Sequence, residues 1–122
     1  MKKKVVIVED DQLLALILKK MAASIDLEVL TVSQFGREAV ETILQENPDI
    51  IFMDISLADD FNGVEVMEII RNHTRSPVIY ITGISNNKLR RNAEKIENSC
   101  FLSKPIRLNE LRQAVELMTV VS

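Results

Sequence analysis

Acidic side chains stand directly after two of the apolar runs of this chain. Glu9-Asp10 follows Lys4–Val8, and Asp54 follows Ile50–Met53. Carboxylates that lie close together repel one another, and a divalent cation would offset that repulsion. Mg²⁺ prefers oxygen ligands and is commonly held by one or two carboxylates together with phosphate oxygens. The pattern therefore indicates metal-assisted phosphoryl transfer, with a carboxylate as candidate nucleophile.

A hydroxyl and an ammonium group follow two other apolar runs. Thr82 comes after Val78–Ile81, and Lys104 comes shortly after Cys100–Leu102. A hydroxyl can donate a hydrogen bond to a phosphoryl oxygen, and an ammonium group can offset its charge. Taken singly, such residues are common in turns, and Asp11 fits an N-cap of the next helix. Their shared position after apolar runs is what indicates one site.

Short apolar runs alternate along the chain with segments of helical spacing. The runs predict strands at Lys4–Val8, Val29–Val32, Ile50–Met53, Val78–Ile81 and Cys100–Leu102. The helical spacing predicts helices at Gln12–Ser24, Gly36–Glu46, Val64–Arg71, Asn86–Ile96 and Arg107–Met118. This alternation predicts an α/β fold, a parallel sheet with helices on both faces. Ligands bind such sheets at the carboxyl ends of the strands, where the candidate residues stand.

The composition argues against several other classes of protein. The length of 122 residues, with 47% hydrophobic residues, predicts a single domain over residues 1–122. A net charge of −3 is too mild to predict a nucleic-acid or membrane surface. No run approaches the roughly 18 apolar residues of a membrane span, and MKKKVVIVEDD is not typical of a signal peptide. The lone Cys100 predicts a buried thiol and fits a reducing compartment, so we expect a cytoplasmic protein.

Together these residues resemble the receiver domain of response regulators, the phosphorylated module of two-component signalling. The matching pieces are Val8-Glu9-Asp10, Asp54, Thr82-Gly83, and Phe101 followed by Ser103-Lys104-Pro105. The resemblance extends over essentially the whole chain, which is similar to the chemotaxis regulators of this family. It implies a flavodoxin-like, doubly wound sheet in strand order 2-1-3-4-5. It also implies self-catalysed phosphoryl acceptance rather than the turnover of a substrate.

The resemblance implies a role for each site residue. Asp54 would be the phosphoacceptor, with Lys104 and Thr82 contacting the phosphoryl group. The Mg²⁺ ligands would be Glu9, Asp10, Asp54 and the backbone carbonyl of Ser56. The peptide bond between Lys104 and Pro105 would be cis.

The resemblance also implies a switch and a set of partners. Thr82 and Phe101 would move when Asp54 is phosphorylated and would change the face made of the fourth helix, fifth strand and fifth helix. The phosphoryl donor would be a sensor histidine kinase or a histidine phosphotransfer protein. The same face is a candidate homodimer interface, and no direct contact with nucleic acid or membrane is expected.

Some positions depart from the common family pattern. Ala58 replaces a frequent proline, in a loop that also carries the extra acids Asp59 and Asp60. Ser56 and Ile84 stand where side chains tune water attack on the phosphoryl group, and neither can orient a water well, so we expect slow phosphoryl loss.

A basic run in the fourth helix, around Arg90 and Arg91, is either a solvated face or a docking surface for an acidic partner.

Two other functions stay open. A receiver used only as an unphosphorylated interaction module would not need all of the site residues. A Mg²⁺-dependent aspartyl-phosphate phosphatase would need a second acid near the nucleophile, where Ser56 stands. The chain ends at Ser122, soon after the last predicted helix, which favours a receiver excised from a longer protein over a stand-alone regulator.

Overall fold

The structure, a computed structural model, describes residues 2–57, 61–83 and 87–119. Within these ranges the strands are β1 (Lys3–Val8), β2 (Leu27–Ser33), β3 (Ile50–Met53), β4 (Val78–Thr82) and β5 (Ser99–Ser103). The helices are α1 (Gln12–Ser24), α2 (Gly36–Glu46), α3 (Gly63–Ile70), α4 (Asn87–Glu94) and α5 (Leu108–Met118). The predicted elements are present, with small differences at their ends. Asn86, the predicted start of the fourth helix, lies outside the described residues.

The strands of the described ranges form one five-stranded sheet in the order β2-β1-β3-β4-β5, and every neighbouring pair is parallel. The α/β class and the strand order are thus confirmed. In the pairing of β1 with β3, Val8 lies opposite Met53, the last residue of each strand. The residues that follow these two strands therefore emerge side by side at the carboxyl edge of the sheet.

An apolar core lies on each face of the sheet. One core packs strand residues such as Ile51 and Met53 against α2 and α3, and the other packs Ile50 and Phe52 against α1 and α5. Successive side chains of a strand point to opposite faces, so β3 is apolar at every position and fully buried. Burying each such side chain stabilises the fold by roughly 1.5–3 kcal/mol. This core holds the carboxyl end of β3 firmly.

Caps begin two of the helices close to the strand ends. The Asp11 carboxylate accepts a hydrogen bond from the Leu14 N–H at 3.1 Å, so this residue caps α1. Asn62 and Glu65 form a reciprocal capping box at the start of α3, with both hydrogen bonds at 3.0 Å. None of the helices in the described ranges is both long and apolar enough to cross a membrane.

Candidate metal centre at the carboxyl edge of the sheet

Three carboxylates meet at the carboxyl edge of the sheet. Glu9 directly follows β1 and Asp54 directly follows β3, and the Asp54 N–H donates to the carbonyl of Val8 at 2.9 Å. Carboxylate oxygens of Glu9, Asp10 and Asp54 lie within 4.8 Å of one another. Glu9 is 1% exposed and Asp54 is 5% exposed, whereas Asp10 is half-buried. The parallel register of two central strands thus assembles the predicted acidic cluster.

Lys104 brings a positive charge to this cluster. Its Nζ lies 3.3 Å from Asp54 Oδ2 and 3.3 Å from Glu9 Oε1. Its backbone N–H donates to the carbonyl of Thr82 at 3.1 Å, which holds the end of β5 beside the end of β4. Partial burial disfavours the Lys104 charge, but the Asp54 and Glu9 carboxylates outweigh that effect and raise the pKa of the ammonium group. The Lys104–Pro105 peptide bond is cis, as the resemblance implied.

One ammonium group does not neutralise the cluster fully. Burial, reinforced by the neighbouring Asp54, raises the pKa of Glu9 from 4.5 to about 7, against the opposing effects of the Asp11 N–H and Lys104. Among the described residues, no group donates a hydrogen bond to the buried Glu9 Oε1, although the Lys104 ammonium lies near it. A buried carboxylate oxygen with only an ion-pair partner among the described residues, beside two other carboxylates, fits a hard divalent cation such as Mg²⁺. The residues present are therefore suited to holding that ion.

The remaining predicted site residues lie around this cluster. The Ser56 N–H donates to Asp54 Oδ1 at 3.3 Å, so the backbone at Ser56 is held close to the candidate nucleophile. Thr82 is the last residue of β4 and is buried. The predictions for Ala58, Asp59, Asp60 and Ile84 concern positions outside the described residues.

Phe101 on β5 lies between two side chains, an arrangement that was not predicted. Its ring stacks on Tyr80 with the centroids 5.1 Å apart, and the Arg90 guanidinium lies 4.6 Å from its centroid. Arg90 also pairs with Glu94 one helical turn along α4, with 3.3 Å between Nε and Oε1. The spacing of Arg90 and Glu94 was a visible signal, but contact with Phe101 depends on how α4 crosses β5. Arg90 thus contacts Phe101 and Glu94 on the basic helix surface, for which the sequence left open a solvated face or a docking surface.

Arg71 joins the end of α3 to the turn before β5. Its guanidinium donates to the carbonyl of Glu97 at 2.9 and 2.8 Å and to that of Asn98 at 3.2 Å. Asn98 itself adopts a positive φ of 58° and donates from its side chain to the carbonyl of Arg75. The sequence analysis did not predict this role of Arg71, because its partners are carbonyls far along the chain that leave no sequence signal.

The chain belongs to the family of response regulator receiver domains, whose sequence model matches residues 5–116. The transcriptional regulatory protein CrdR of Helicobacter pylori is 30% identical over 118 residues, which cover 95% of this chain and 54% of CrdR. The chain spans about half the length of the curated relatives it matches first. The family predicted from the motifs is therefore confirmed.

Receiver domains are among the solved structures with the same fold. The receiver domain of a modulated diguanylate cyclase from Desulfovibrio desulfuricans G20 is 29% identical, with a TM-score of 0.91 over 98% of this chain and 94% of that one. That of the sensor histidine kinase PA1611 from Pseudomonas aeruginosa PAO1, 24% identical, has a TM-score of 0.87 over 98% of each chain. The latter structure has a magnesium ion coordinated in its active-site cleft. Receiver domains of this family typically bind Mg²⁺ at an acidic pocket and work with histidine kinases or phosphotransfer proteins.

Proposed function

We propose that this chain, as a single receiver domain, accepts a phosphoryl group on Asp54 from the phosphohistidine of a sensor kinase or phosphotransfer protein. Glu9, Asp10, Asp54 and the Ser56 carbonyl would hold the Mg²⁺ ion. The observation that carries the proposal is a cluster of three carboxylates, two of them buried, with one ammonium group 3.3 Å from those two. Groups with perturbed pKa values are typical of functional sites, and burial raises the pKa of Glu9 in this cluster.

In the proposed step, an Asp54 carboxylate oxygen attacks the phosphorus atom of the donor. A new O–P bond forms while the P–N bond to the donor imidazole breaks, and the bonding pair stays on the imidazole nitrogen. Bound Mg²⁺ would offset the charge of the phosphoryl oxygens. Lys104, already 3.3 Å from Asp54 Oδ2, is close enough to pair with a phosphoryl oxygen of the product. The buried β3 holds the nucleophile still, and this supports its role in a reaction that depends on positioning.

We further propose that phosphorylation changes the face made of α4, β5 and α5 through Thr82 and Phe101. Thr82 ends β4 beside Lys104, so a new phosphoryl group at Asp54 could attract its hydroxyl. Phe101 is half-buried and could move inward. To change the ratio of the two states of this face from 1:99 to 99:1, the phosphoryl group must interact more favourably with one state than with the other by about 5.5 kcal/mol. A homodimer through this face is the candidate output.

The experiment is phosphorylation by acetyl phosphate with Mg²⁺, followed by intact mass. We expect a gain of one phosphoryl group in the wild-type protein, and none in Asp54→Asn or with a chelator. Asp49→Asn is the matched control, because Asp49 precedes the same strand at its opposite end and accepts the Lys4 N–H at 2.7 Å. No gain in folded, Mg²⁺-bound wild-type protein would contradict the proposal and favour the unphosphorylated interaction module.

A further inference from the structure

Two of the three glycines of this chain stand where a side chain has no room. A Cβ atom on Gly63 would lie 2.3 Å from the carbonyl oxygen of Asp54 and 2.8 Å from Met53 Cγ. A Cβ atom on Gly36 would lie 2.1 Å from the carbonyl oxygen of Phe61. The third, Gly83, has ordinary space, because its nearest neighbour would be Lys104 Cβ at 3.7 Å. The first residues of α2 and α3 therefore lie in close contact with the backbone of Phe61 and Asp54, respectively.

Backbone conformation does not explain these glycines. None of them has a positive φ, so any residue could adopt their dihedral angles. Gly36 is the first residue of α2. In the interior of a helix alanine is more favourable than glycine by about 1 kcal/mol, so helix propensity gives no reason for glycine here. Close approach is the remaining physical reason for glycine at both positions.

The two contacts join into one series that ends at the phosphoacceptor. Gly36 touches the backbone of Phe61, whose ring also lies 5.6 Å from the Arg37 guanidinium. Two residues on, the Gly63 N–H donates to the Ile55 carbonyl at 2.8 Å, while Gly63 also presses on Asp54. We call Gly36, Phe61 and Gly63 the backbone brace.

We propose that Gly36 and Gly63 are positioning residues of the metal centre, acting through the backbone brace on Asp54 and on the peptide before Ser56. This inference rests on the proposed function. The shortest contact of each added methyl group is to a backbone oxygen atom, which cannot give way as the end of a flexible side chain can. The backbone that bears the Asp54 carboxylate and the Ser56 carbonyl would move instead. Mg²⁺ requires near-ideal octahedral geometry, so a small displacement of its ligands weakens its binding.

The test compares Gly36→Ala and Gly63→Ala with Ile43→Val. Ile43 is fully buried on α2 in the core against which Phe61 packs, so its loss of a methylene lowers stability in the same region without adding an atom to the brace. Three quantities are measured: the Mg²⁺ dissociation constant by calorimetry without a phosphodonor, the Ser56 amide shift by NMR in metal-free protein, and unfolding in urea. We expect the dissociation constant to rise about tenfold for Gly63→Ala and severalfold for Gly36→Ala. The Ser56 amide shift should move in both glycine variants and stay in place in Ile43→Val.

A folded Gly36→Ala protein with unchanged Mg²⁺ affinity and an unchanged Ser56 amide would overturn the inference. The inference also fails if Ile43→Val changes these two quantities as much as the glycine variants do. If Gly63→Ala does not fold, Gly36→Ala decides, because its added methyl group would meet Phe61 and not Asp54 itself. A wild-type protein that takes no phosphoryl group would contradict the proposed function alone, because the Ser56 amide tests the brace without metal or phosphodonor.

Discussion

The carboxylate Asp54 follows a strand whose residues are all buried, whereas Phe101 lies on an edge strand whose residues are half-buried or exposed. The elements beside them differ in the same way. Helix α3 buries most of its residues, but α4 buries only Ala93 fully within its described span. We refer to α4 and β5 together as the α4–β5 face. A nucleophile needs a fixed position, and a surface that changes state needs a low cost of rearrangement. The metal centre and the α4–β5 face meet these opposite needs within one sheet.

The largest expected difference between the two regions is in stability. Ile51→Ala in β3 should lower the free energy of unfolding by about 3–4 kcal/mol, because it leaves a cavity in a closed core. Ile96→Ala, beyond the end of α4, should cost only about 1 kcal/mol, because that side chain is half-buried. Urea unfolding of both variants gives the comparison. Equal losses would show that the two regions are held equally firmly.

The next effect concerns the anchor of the α4–β5 face. Arg71→Met removes charged donors from the carbonyls of Glu97 and Asn98 and should cost about 2 kcal/mol. Arg75→Met, which breaks an exposed ion pair with Glu97, should cost less than about 1 kcal/mol. In Arg71→Met, hydrogen exchange should show reduced protection of backbone amides mainly in α4 and β5. The β3 amides, which exchange only through global unfolding, should show no additional local loss of protection. Loss of protection spread evenly through the sheet would argue against a separate face.

The pH dependence of the metal centre follows from Glu9. Its pKa in the folded protein is raised to about 7 from 4.5. Between these values the metal-free folded state keeps a proton that the unfolded state releases, so the free energy of unfolding falls as pH rises through this window. Mg²⁺ binding requires the ionised carboxylate, so its affinity should fall about tenfold per pH unit below the raised pKa. Calorimetry between pH 5 and 8 checks this, and Glu9→Gln should remove both trends if Glu9 is their source.

The smallest expected effect is at the stack on Phe101. Arg90→Ala removes the guanidinium from the Phe101 ring and from Glu94 and should cost about 0.5–1 kcal/mol. Arg90→Lys should retain part of this, because an ammonium group keeps the charge without the planar stacking. Arg91→Ala is the control and should have almost no effect on urea unfolding. If Arg90→Ala matches Arg91→Ala, the stack adds nothing to the α4–β5 face.

Much of the fold and of the metal centre could be predicted from the amino-acid order. Strand and helix patterns are local, and the alternation of the two restricts the topology to a few arrangements. The ends of parallel strands meet at one edge, so residues such as Glu9 and Asp54 could be grouped from the sequence. The distances between these side chains depend on the register of the strands and could not be predicted from the sequence.

Residues that act through distant backbone atoms could not be predicted. Gly36 is an ordinary first residue of a helix in the sequence, and only the fold brings it against Phe61. Arg71 likewise is only the last residue of a predicted helix in the sequence, and in the fold it reaches a carbonyl that follows α4. Backbone carbonyls are present at every residue, so they leave no sequence signal of their own.

The sequence by itself determined the order of the elements, the family, and which chemical groups stand at the strand ends, because these depend on local patterns and chain connectivity. Tertiary structure alone decided that Lys104 reaches both Glu9 and Asp54, that burial raises the pKa of Glu9, and that Arg90 covers Phe101. These are contacts over distances of a few ångströms between parts of the chain far apart in sequence. Their strength depends on burial and separation, which a one-dimensional pattern does not contain.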